Sequence, residues 1–326
     1  MRSAAPPPVR WGFLGAGFVA SQALAPAVHA SPVAVLHAAA ARDAERANAL
    51  EPLGFSADDY WSVVNDDTVD AVYISLANDA HLAWILAALT AGKHVLCEKP
   101  ITLNASECRV AFDAAQAADR LLVEGAWNQW HPRTRRLDEL MRSGTLRQVR
   151  SVTAEFTFDG VPDGNYRLDV ARGGGALLDV GPYLVRPMAT WTNGSWTVED
   201  VDRTLSDRTT DLRTRATLSS SDGARAQVLA SFADPEHQQL RLDTANGSAM
   251  WGSPAFTSWR QTSSLELSVD GRRWSEKFAS CDAYEIMVSE VSRRIRGDED
   301  AFVVTADESV ACLQLMDLID AAARSA

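Results

Sequence analysis

The sequence predicts an α/β protein with two domains. The first is built on a parallel sheet, and the second is an α+β domain with a large, mostly antiparallel open sheet. In the first part of the chain, short apolar strands alternate with helices, as in parallel sheets covered on both faces. From about residue 149, strands of alternating polarity are separated by hairpin signals, namely Ser221-Asp222-Gly223, Asn246-Gly247 and Asp270-Gly271. The predicted boundaries are a disordered tail at 1–8, a first domain at 9–127 and a second domain at 128–326.

Length and composition limit the class of protein. The chain has 326 residues, 46% of them hydrophobic and 23% charged, which suits two globular domains with cores of their own. The net charge of -12 argues against nucleic acid and anionic membrane surfaces as partners. Four scattered cysteines without a C-x-x-C pair predict reduced thiols and no metal centre. No apolar run has the length of a membrane helix and the Pro-rich start is no signal peptide, so we expect a cytoplasmic protein.

A glycine-rich loop follows the first predicted strand and precedes a helical stretch. Its sequence, GAGFVA over residues 15–20, matches the G-x-G-x-x-A pattern of dinucleotide-binding loops in the strand–loop–helix context that this pattern requires. Gly15 would make the tight turn, and Gly17 would let the backbone approach a pyrophosphate. The alternative is a glycine turn kept only for packing. We therefore predict a Rossmann domain, with Gly15, Gly17, Phe18 and Val19 as cofactor-binding residues.

The second predicted strand ends at Arg42-Asp43, where a Rossmann domain reads the ribose of the adenosine. An acidic residue there selects a free 2′-hydroxyl, whereas an arginine can pair with a 2′-phosphate. We expect Asp43 to cap the next helix, which leaves Arg42 to face the ligand. The cofactor is therefore predicted as NADP(H), favoured over NAD(H). The alternative for Arg42 is a solvated loop charge.

Ionisable residues follow two further predicted strands of the first domain. Glu98 and Lys99 come directly after the apolar run 95–97, at the carboxyl end of a strand, where open α/β sheets bind ligands. Asn78 and His81 follow the preceding strand and would face the same crevice. A histidine at the start of a helix is more often structural, and Lys99 could equally be a surface residue in a turn. We include all four among the candidate cofactor-binding residues.

The second half contains the stretch GGGALLDVGPY at residues 173–183. Asp179 and Tyr183 are four residues apart, so on a helix they share one face. A carboxylate and a phenol pointing together could orient and protonate a substrate. The alternative is a glycine turn followed by a buried tyrosine, and Pro182 argues against a regular helix.

Taken together, LGAGFVA, AGKHVLCEKP and GGGALLDVG followed two residues later by tyrosine resemble the Gfo/Idh/MocA family, which includes glucose-fructose oxidoreductase and inositol dehydrogenase. The resemblance implies an NAD(P)-dependent oxidoreductase acting on CH–OH groups, with Lys99 as the catalytic lysine and Asp179 as a substrate-site carboxylate. Tyr183 stands where many members have histidine, which is similar to the branch of dihydrodiol dehydrogenases and NDP-sugar ketoreductases. Gln129 departs from the arginine common in that branch.

Trp127 and Arg167 complete the predicted substrate-binding residues beside Asp179. A flat indole suits the face of a sugar ring, although core packing is the alternative for Trp127. The predicted reaction is hydride transfer in which Lys99 polarises the substrate oxygen and Tyr183 gives the proton, without a metal.

From the resemblance, an NDP-keto-deoxysugar is the favoured substrate. A cyclitol or trans-dihydrodiol dehydrogenase is the alternative enzyme, and a non-catalytic NADP-binding sensor or scaffold is the alternative of another class. We also expect a homodimer or homotetramer formed through the C-terminal sheet.

Overall fold

The computed structural model of the chain describes residues 6–325 and consists of two compact units. Each unit is assembled from segments that are separate in the sequence. The first unit contains the chain up to Thr102, Ser106–Trp130 and Asp282–Ala306; the second contains Leu103–Ala105, His131–Cys281 and the chain from Asp307 onward. This division differs from the predicted boundary after residue 127, because residues 128–130 and Asp282–Ala306 belong to the first unit and Leu103–Ala105 belongs to the second.

Part of the predicted tail is held by the first unit. The carbonyl oxygens of Pro7 and Pro8 accept hydrogen bonds from the guanidinium of Arg296, at 3.0 and 2.9 Å. These two residues thus differ from the expected disordered tail, and residues 1–5 lie outside the described part of the chain.

The first unit contains a six-stranded sheet in which all neighbouring strands are parallel. Its strands are β1 (Val9–Leu14), β2 (Ala34–Ala40), β3 (Phe55–Ser56), β4 (Ala71–Ile74), β5 (His94–Cys97) and β6 (Leu122–Glu124). The spatial order β3-β2-β1-β4-β5-β6 reverses direction between β1 and β4, which is the point where doubly wound sheets bind ligands. The predicted Rossmann domain is confirmed.

Helices connect these strands. They are α1 (Ala25–Ala30), α2 (Ala44–Asn48), α3 (Tyr60–Val64), α4 (His81–Thr90) and α5 (Ala105–Ala117). A π-helical segment, Ala20–Leu24, precedes α1, and a 3₁₀ turn, Asn78–Ala80, precedes α4. The short elements β3 and α3 were not predicted, because two and five residues are too few to show a hydrophobic period.

The second unit contains an eight-stranded sheet, and its neighbouring strands are antiparallel except for the parallel pair β7 and β10. Its strands are β7 (Val149–Thr157), β8 (Trp196–Leu205), β9 (Asp211–Ser220), β10 (Arg225–Ser231), β11 (His237–Thr244), β12 (Gly247–Trp251), β13 (Ser263–Val269) and β14 (Arg272–Phe278). The three predicted hairpin turns join β9 to β10, β11 to β12 and β13 to β14. The predicted fold class is therefore confirmed for this half as well.

Helices cover one face of this second sheet. Helix α6 (Pro132–Arg142) precedes the sheet, and α7 (Ala176–Trp191) packs against β7, β9 and β10. Helix α7 continues through Pro182 and Pro187, although each proline lacks the N–H that an interior helical bond requires. Asp179 and Tyr183 are therefore both in α7, one turn apart on the same face of the helix, as their spacing predicts.

The next helix, α8 (Ala283–Ile295), belongs to the first unit, and α9 (Ala306–Ser325) follows it. The buried indole of Trp11 in β1 donates a hydrogen bond to Ser292 Oγ of α8 at 3.1 Å. Arg296, just after α8, forms an ion pair of 2.9 Å with Asp70, which also binds Arg10. These buried and half-buried polar contacts tie α8 to the amino end of the parallel sheet.

Among residues 6–325, no helix has both the length and the apolar character needed to cross a membrane.

Candidate active site

The predicted dinucleotide loop has the shape that a pyrophosphate requires. Gly15 has a φ of 97°, and a Cβ built on it would lie 2.4 Å from the carbonyl oxygen of Ser75, so only glycine fits there. A Cβ on Gly17 would meet nothing nearer than Ser75 Oγ at 4.0 Å, so this side of the loop is open. Phe18 is 78% exposed, and Val19 is half-buried. The loop therefore fits a bound dinucleotide.

Arg42 lies at the end of β2, on the surface of the first unit. The predicted cap is present, because Asp43 Oδ1 accepts a hydrogen bond of 2.9 Å from the backbone N–H of Glu45. Arg42 is close enough to Tyr60 to act on its phenol, whose pKa is raised by burial and lowered in part by the Arg42 cation. An exposed guanidinium beside a phenol at this strand end can receive a phosphate group.

Lys99 follows a buried carboxyl group at the end of β5. The Tyr73 hydroxyl donates a hydrogen bond of 2.8 Å to Glu98 Oε1, and both side chains are buried. Burial raises the pKa of Glu98, and the neighbouring Lys99 ammonium opposes this increase. Lys99 itself is partly exposed, and its peptide bond to Pro100 is cis. The structure thus places a lysine cation at the carboxyl end of the sheet, as predicted.

His81 is buried beside two main-chain carbonyl groups, and its predicted contact with the cofactor stays a prediction. Its side chain is fully buried, with Nδ1 2.9 Å from the carbonyl oxygen of Pro100 and Nε2 3.2 Å from that of Leu76. Burial lowers its pKa, so the ring is neutral at pH 7 and has one N–H to donate. One of the two carbonyl oxygens accepts this N–H, and the ring lies between the loop after β4 and the loop after β5. Asn78 is also buried, at the start of the 3₁₀ turn.

Trp127 is likewise buried within the first unit. Its ring stacks on Tyr284 of α8, with centroids 5.5 Å apart and an interplanar angle of 23°, and 4% of the residue is exposed. Core packing, the alternative stated for this residue, explains this position. A substrate contact by Trp127 stays a prediction.

In the second unit, the glycines before α7 allow another segment to approach closely. A Cβ on Gly174 would lie 2.6–2.7 Å from the carbonyl oxygens of Tyr166, Arg167 and Asp169, so a side chain is excluded there. The backbone N–H of Gly175 donates to the Arg167 carbonyl at 2.9 Å. The segment 165–172 therefore wraps around the glycines, which brings Arg167 to the first turns of α7.

Arg167 and Asp179 form an ion pair in which Nε lies 2.8 Å from Oδ2. Burial alone would lower the pKa of Arg167, but Asp179 and the nearby phenols of Tyr166 and Tyr183 raise it above its ordinary value. The guanidinium is thus permanently charged and close to Tyr183. The predicted substrate residues Arg167 and Asp179 lie together with Tyr183, one of the two predicted catalytic residues.

Two aromatic residues that the sequence analysis missed fix the ring of Tyr183. The ring centroids of Phe156 in β7 and Phe256 in the loop after β12 each lie 5.7 Å from that of Tyr183. Phe156 and Phe256 also stack on each other at 5.6 Å. Nothing in the local sequence indicates these contacts, because the three residues come from three separate segments.

The predicted site residues fall into two groups, one in each unit. The first unit contains the loop glycines, Arg42, Asn78, His81, Glu98, Lys99 and Trp127, and the second contains Arg167, Asp179 and Tyr183. Within the described residues, no group of three histidine, cysteine or acidic side chains is placed to hold a metal ion.

Comparison with known proteins gives matches in both halves of the chain. The oxidoreductase family model described as a Gfo/Idh/MocA NAD-binding Rossmann fold matches residues 9–126, and the Gfo/Idh/MocA C-terminal domain model matches residues 134–250. The chain is 36% identical over 319 residues to D-xylose 1-dehydrogenase (NADP(+)) 2 of Haloferax volcanii, covering 95% of each chain. It is 32% identical over 255 residues to a dTDP-3,4-didehydro-2,6-dideoxy-alpha-D-glucose 3-reductase of Actinomadura kijaniata, covering 77% of this chain and 76% of the other.

A solved structure is similar over nearly the whole length. It is KijD10, a 3-ketoreductase from Actinomadura kijaniata in complex with NADP and TDP-benzene. The TM-score is 0.87 at 25% identity, and the match covers 96% of this chain and 97% of that one. The predicted family and the predicted oxidoreductase class are therefore confirmed: this chain belongs to the Gfo/Idh/MocA family of oxidoreductases.

Proposed function

We propose that this protein is an NADP(H)-dependent oxidoreductase that interconverts a carbonyl group and a secondary alcohol on a carbohydrate-like substrate. One observation carries the proposal: the chain has a lysine at the carboxyl end of β5 and an aspartate and a tyrosine on one face of α7. The ketoreductase KijD10 has also been solved with one lysine replaced by alanine and with one tyrosine replaced by phenylalanine. In its chain those two residues are separated by the same number of positions as Lys99 and Tyr183.

The proposed roles follow from the charge and hydrogen-bonding capacity of each group. A bound nicotinamide would supply the hydride in the reducing direction and accept it in the oxidising direction. The Lys99 ammonium stabilises negative charge as it develops on the substrate oxygen, and the Tyr183 hydroxyl donates the proton that this oxygen takes up. Asp179, oriented by its ion pair with Arg167, accepts hydrogen bonds from substrate hydroxyl groups.

The cofactor is held by residues of the first unit. The open side of the loop at Gly15 and Gly17 receives the pyrophosphate, with Phe18 and Val19 at its margin. Arg42 pairs with a 2′-phosphate, which agrees with the NADP named for the two relatives. Asn78, Glu98 and Lys99 lie near the nicotinamide end, since they follow β4 and β5.

Two substrate classes fit the relatives. A nucleoside-diphosphate-linked keto-deoxysugar is the first candidate, from the similarity to the dTDP-sugar 3-reductase and to the ketoreductase solved with TDP-benzene. A free aldose is the second candidate, because the xylose dehydrogenase matches the chain over 95% of its length.

A substrate panel followed by NADPH absorbance tests the proposal. The panel contains a dTDP-3-keto-dideoxysugar, D-xylose, an inositol and a trans-dihydrodiol, with Lys99→Ala as the negative control. Turnover of the keto-sugar with NADPH supports the first candidate, and oxidation of D-xylose with NADP⁺ supports the second. Tight NADPH binding without turnover on any member would favour a sensor or scaffold instead.

We also propose that the protein forms a homodimer or homotetramer through the second sheet. Phe156 contacts α7, so its neighbour Glu155 points to the opposite face. Arg215 on β9 and Gln227 on β10 lie on that same face and are exposed. This face, opposite α7, is the one through which we propose that two copies of the chain associate. A monomer in light scattering at micromolar concentration would contradict the proposal.

A further inference from the structure

Helix α7 begins without a capping side chain of its own. Its N-cap residue is Gly175, which has a φ of 125° and no side chain to bond the first turn. The first N–H groups of a helix have no partner within the helix, so another group must satisfy them. This requirement is stronger than usual in α7, because Pro182 and Pro187 each remove one of its internal hydrogen bonds.

Asp211, the first residue of β9, supplies the missing cap. Its Oδ2 accepts a hydrogen bond of 2.8 Å from the backbone N–H of Leu177, in the first turn of α7. Its Oδ1 accepts a second bond of 2.8 Å from the hydroxyl of Thr214. Arg203 Nε lies 3.9 Å from the same oxygen, and 12% of the Asp211 side chain is exposed. The carboxylate is thus bound on both oxygens and held in one orientation.

The third glycine of the motif allows this approach. A Cβ built on Gly175 would lie 3.3 Å from the Cβ of Asp211, which is closer than an ordinary contact. A side chain at this position would therefore press on the aspartate that caps the helix. Gly174 accommodates the segment containing Arg167, whereas Gly175 accommodates Asp211.

The capped turn lies directly next to the candidate substrate residues. Asp179 follows Leu177 by two residues, and Tyr183 lies one turn further along α7. A shift or rotation at the start of α7 would move both side chains relative to Arg167, which belongs to a different segment. A displacement of about 1 Å of a reacting group can reduce a rate by about a hundredfold.

We propose that Asp211 is a positioning residue of the active site, which acts by capping α7 and so fixes the place of Asp179 and Tyr183. The inference rests on the proposed function, since it assumes that these two residues act on the substrate. It adds a residue whose carboxylate bonds the backbone of Leu177 and the hydroxyl of Thr214 and which lies on a separate element, β9.

Three variants and a matched control test this role. In Asp211→Ala the cap is lost, and kcat should fall about 10- to 100-fold while the NADP(H) dissociation constant stays within about twofold. Asp211→Asn should recover kcat to within about threefold, because an amide oxygen also caps a helix. Thr214→Val should give a smaller loss. Asp298→Ala is the control, because Asp298 also accepts a backbone N–H bond, from Asp300, and lies in the first unit, which does not contain α7.

Hydrogen exchange distinguishes this inference from the proposed function. Loss of the cap should speed amide exchange at the start of α7 in Asp211→Ala but not in Asp298→Ala, whatever the substrate is. Faster exchange with an unchanged kcat would overturn the positioning role, and so would unchanged exchange. If the wild type turns over no substrate, the proposed function fails, and unchanged exchange would still overturn the cap while faster exchange would support it.

Discussion

In the first unit, Lys99 stands at the end of a buried strand, whereas in the second unit Tyr183 stands on a helix supported by several other segments. The surroundings of Lys99 come from neighbouring strand ends, with Tyr73 bonded to Glu98 and the neutral ring of His81 between two main-chain carbonyl groups. The supports of Tyr183 are side chains from distant places in the sequence, including Phe156, Phe256, Arg167 and Asp211.

This difference predicts how each half responds to substitution. A parallel sheet covered on both faces fixes its strand ends through the main chain, so the function of the first group should depend mainly on the functional side chains themselves. A helix held by side-chain contacts depends on those contacts as well. Substitutions at residues other than the functional side chains should therefore reduce activity more in the second unit than in the first.

The largest expected effect is at Lys99. Lys99→Ala should lower kcat at least about a hundredfold, because the lost ammonium stabilises charge mainly in the transition state. NADP(H) affinity, measured by fluorescence titration, should change only a few-fold. Lys277→Ala is the matched control, since Lys277 is exposed on β14 in the second unit. Unchanged turnover in Lys99→Ala would show that Lys99 has no role in catalysis and that the end of β5 is only structural.

Arg42 tests whether a single exposed residue sets cofactor choice. Arg42→Ala should weaken NADPH binding about 10- to 100-fold, since a hydrogen bond to a charged group contributes about 1.5–3 kcal/mol. NADH has no 2′-phosphate, so its binding should be nearly unchanged. Titration of both cofactors against both proteins gives the comparison. Equal losses for NADPH and NADH, or a wild type that prefers NADH, would contradict this role.

Tyr183→Phe separates the phenol from the packing of its ring. The aromatic contacts to Phe156 and Phe256 remain, so the melting temperature should stay within a few degrees of the wild type. Turnover should fall about tenfold, less than in Lys99→Ala, because water can supply the proton in place of the hydroxyl. Steady-state rates and thermal unfolding provide the two readouts. A large loss of stability would show that the hydroxyl is structural.

The smallest expected effect is on stability, at the amino end of the parallel sheet. Burial alone would raise the pKa of Asp70, but hydrogen bonds and charges from Arg10 and Arg296 hold it below the ordinary value of 3.8. The contribution of Asp70 to the free energy of unfolding is fully present when the pH is above 3.8, the ordinary pKa of an aspartate. It is lost as the pH falls through the lower pKa that Asp70 has in the folded state. Asp70→Asn should therefore cost about 1.5–3 kcal/mol at neutral pH.

Urea unfolding of Asp70→Asn and the wild type measures this difference. The gap between their midpoints should be widest at neutral pH and should narrow at about pH 3. A gap independent of pH would mean that the carboxylate charge contributes nothing. NADP(H) affinity should be the same in both proteins, because Asp70 lies at the end of the sheet opposite the cofactor loop.

The first group could be predicted from sequence because its signals are local. Gly15, Gly17, Arg42, Glu98 and Lys99 each follow a recognisable apolar strand, so their common edge of the sheet follows from the fold class. His81 lies in the first turn of a helix, as the sequence predicted, but its burial was not predicted. Its bonds depend on where the next strand ends, and spacing does not show this.

The second group could be predicted only in part. The shared helix face of Asp179 and Tyr183 follows from their spacing. Pro182 suggested an interruption of the helix, but α7 continues through it. Phe156, Phe256 and Asp211 were missed, because contacts between distant segments leave no periodic trace. The position of α8 was missed for the same reason, since its partners Trp11 and Asp70 lie more than two hundred residues earlier.

Helix α8 also bears on how the protein is made. A ribosome releases β1 first and α8 near the end of synthesis, with the entire second sheet between them. At roughly 5–20 residues per second, Trp11 waits between about 15 s and 1 min for Ser292 to appear. Until then the nascent first unit has an indole N–H and an acidic Asp70 without these late partners. The first unit is therefore begun first, but its last segment is translated only after residues 131–281 of the second unit.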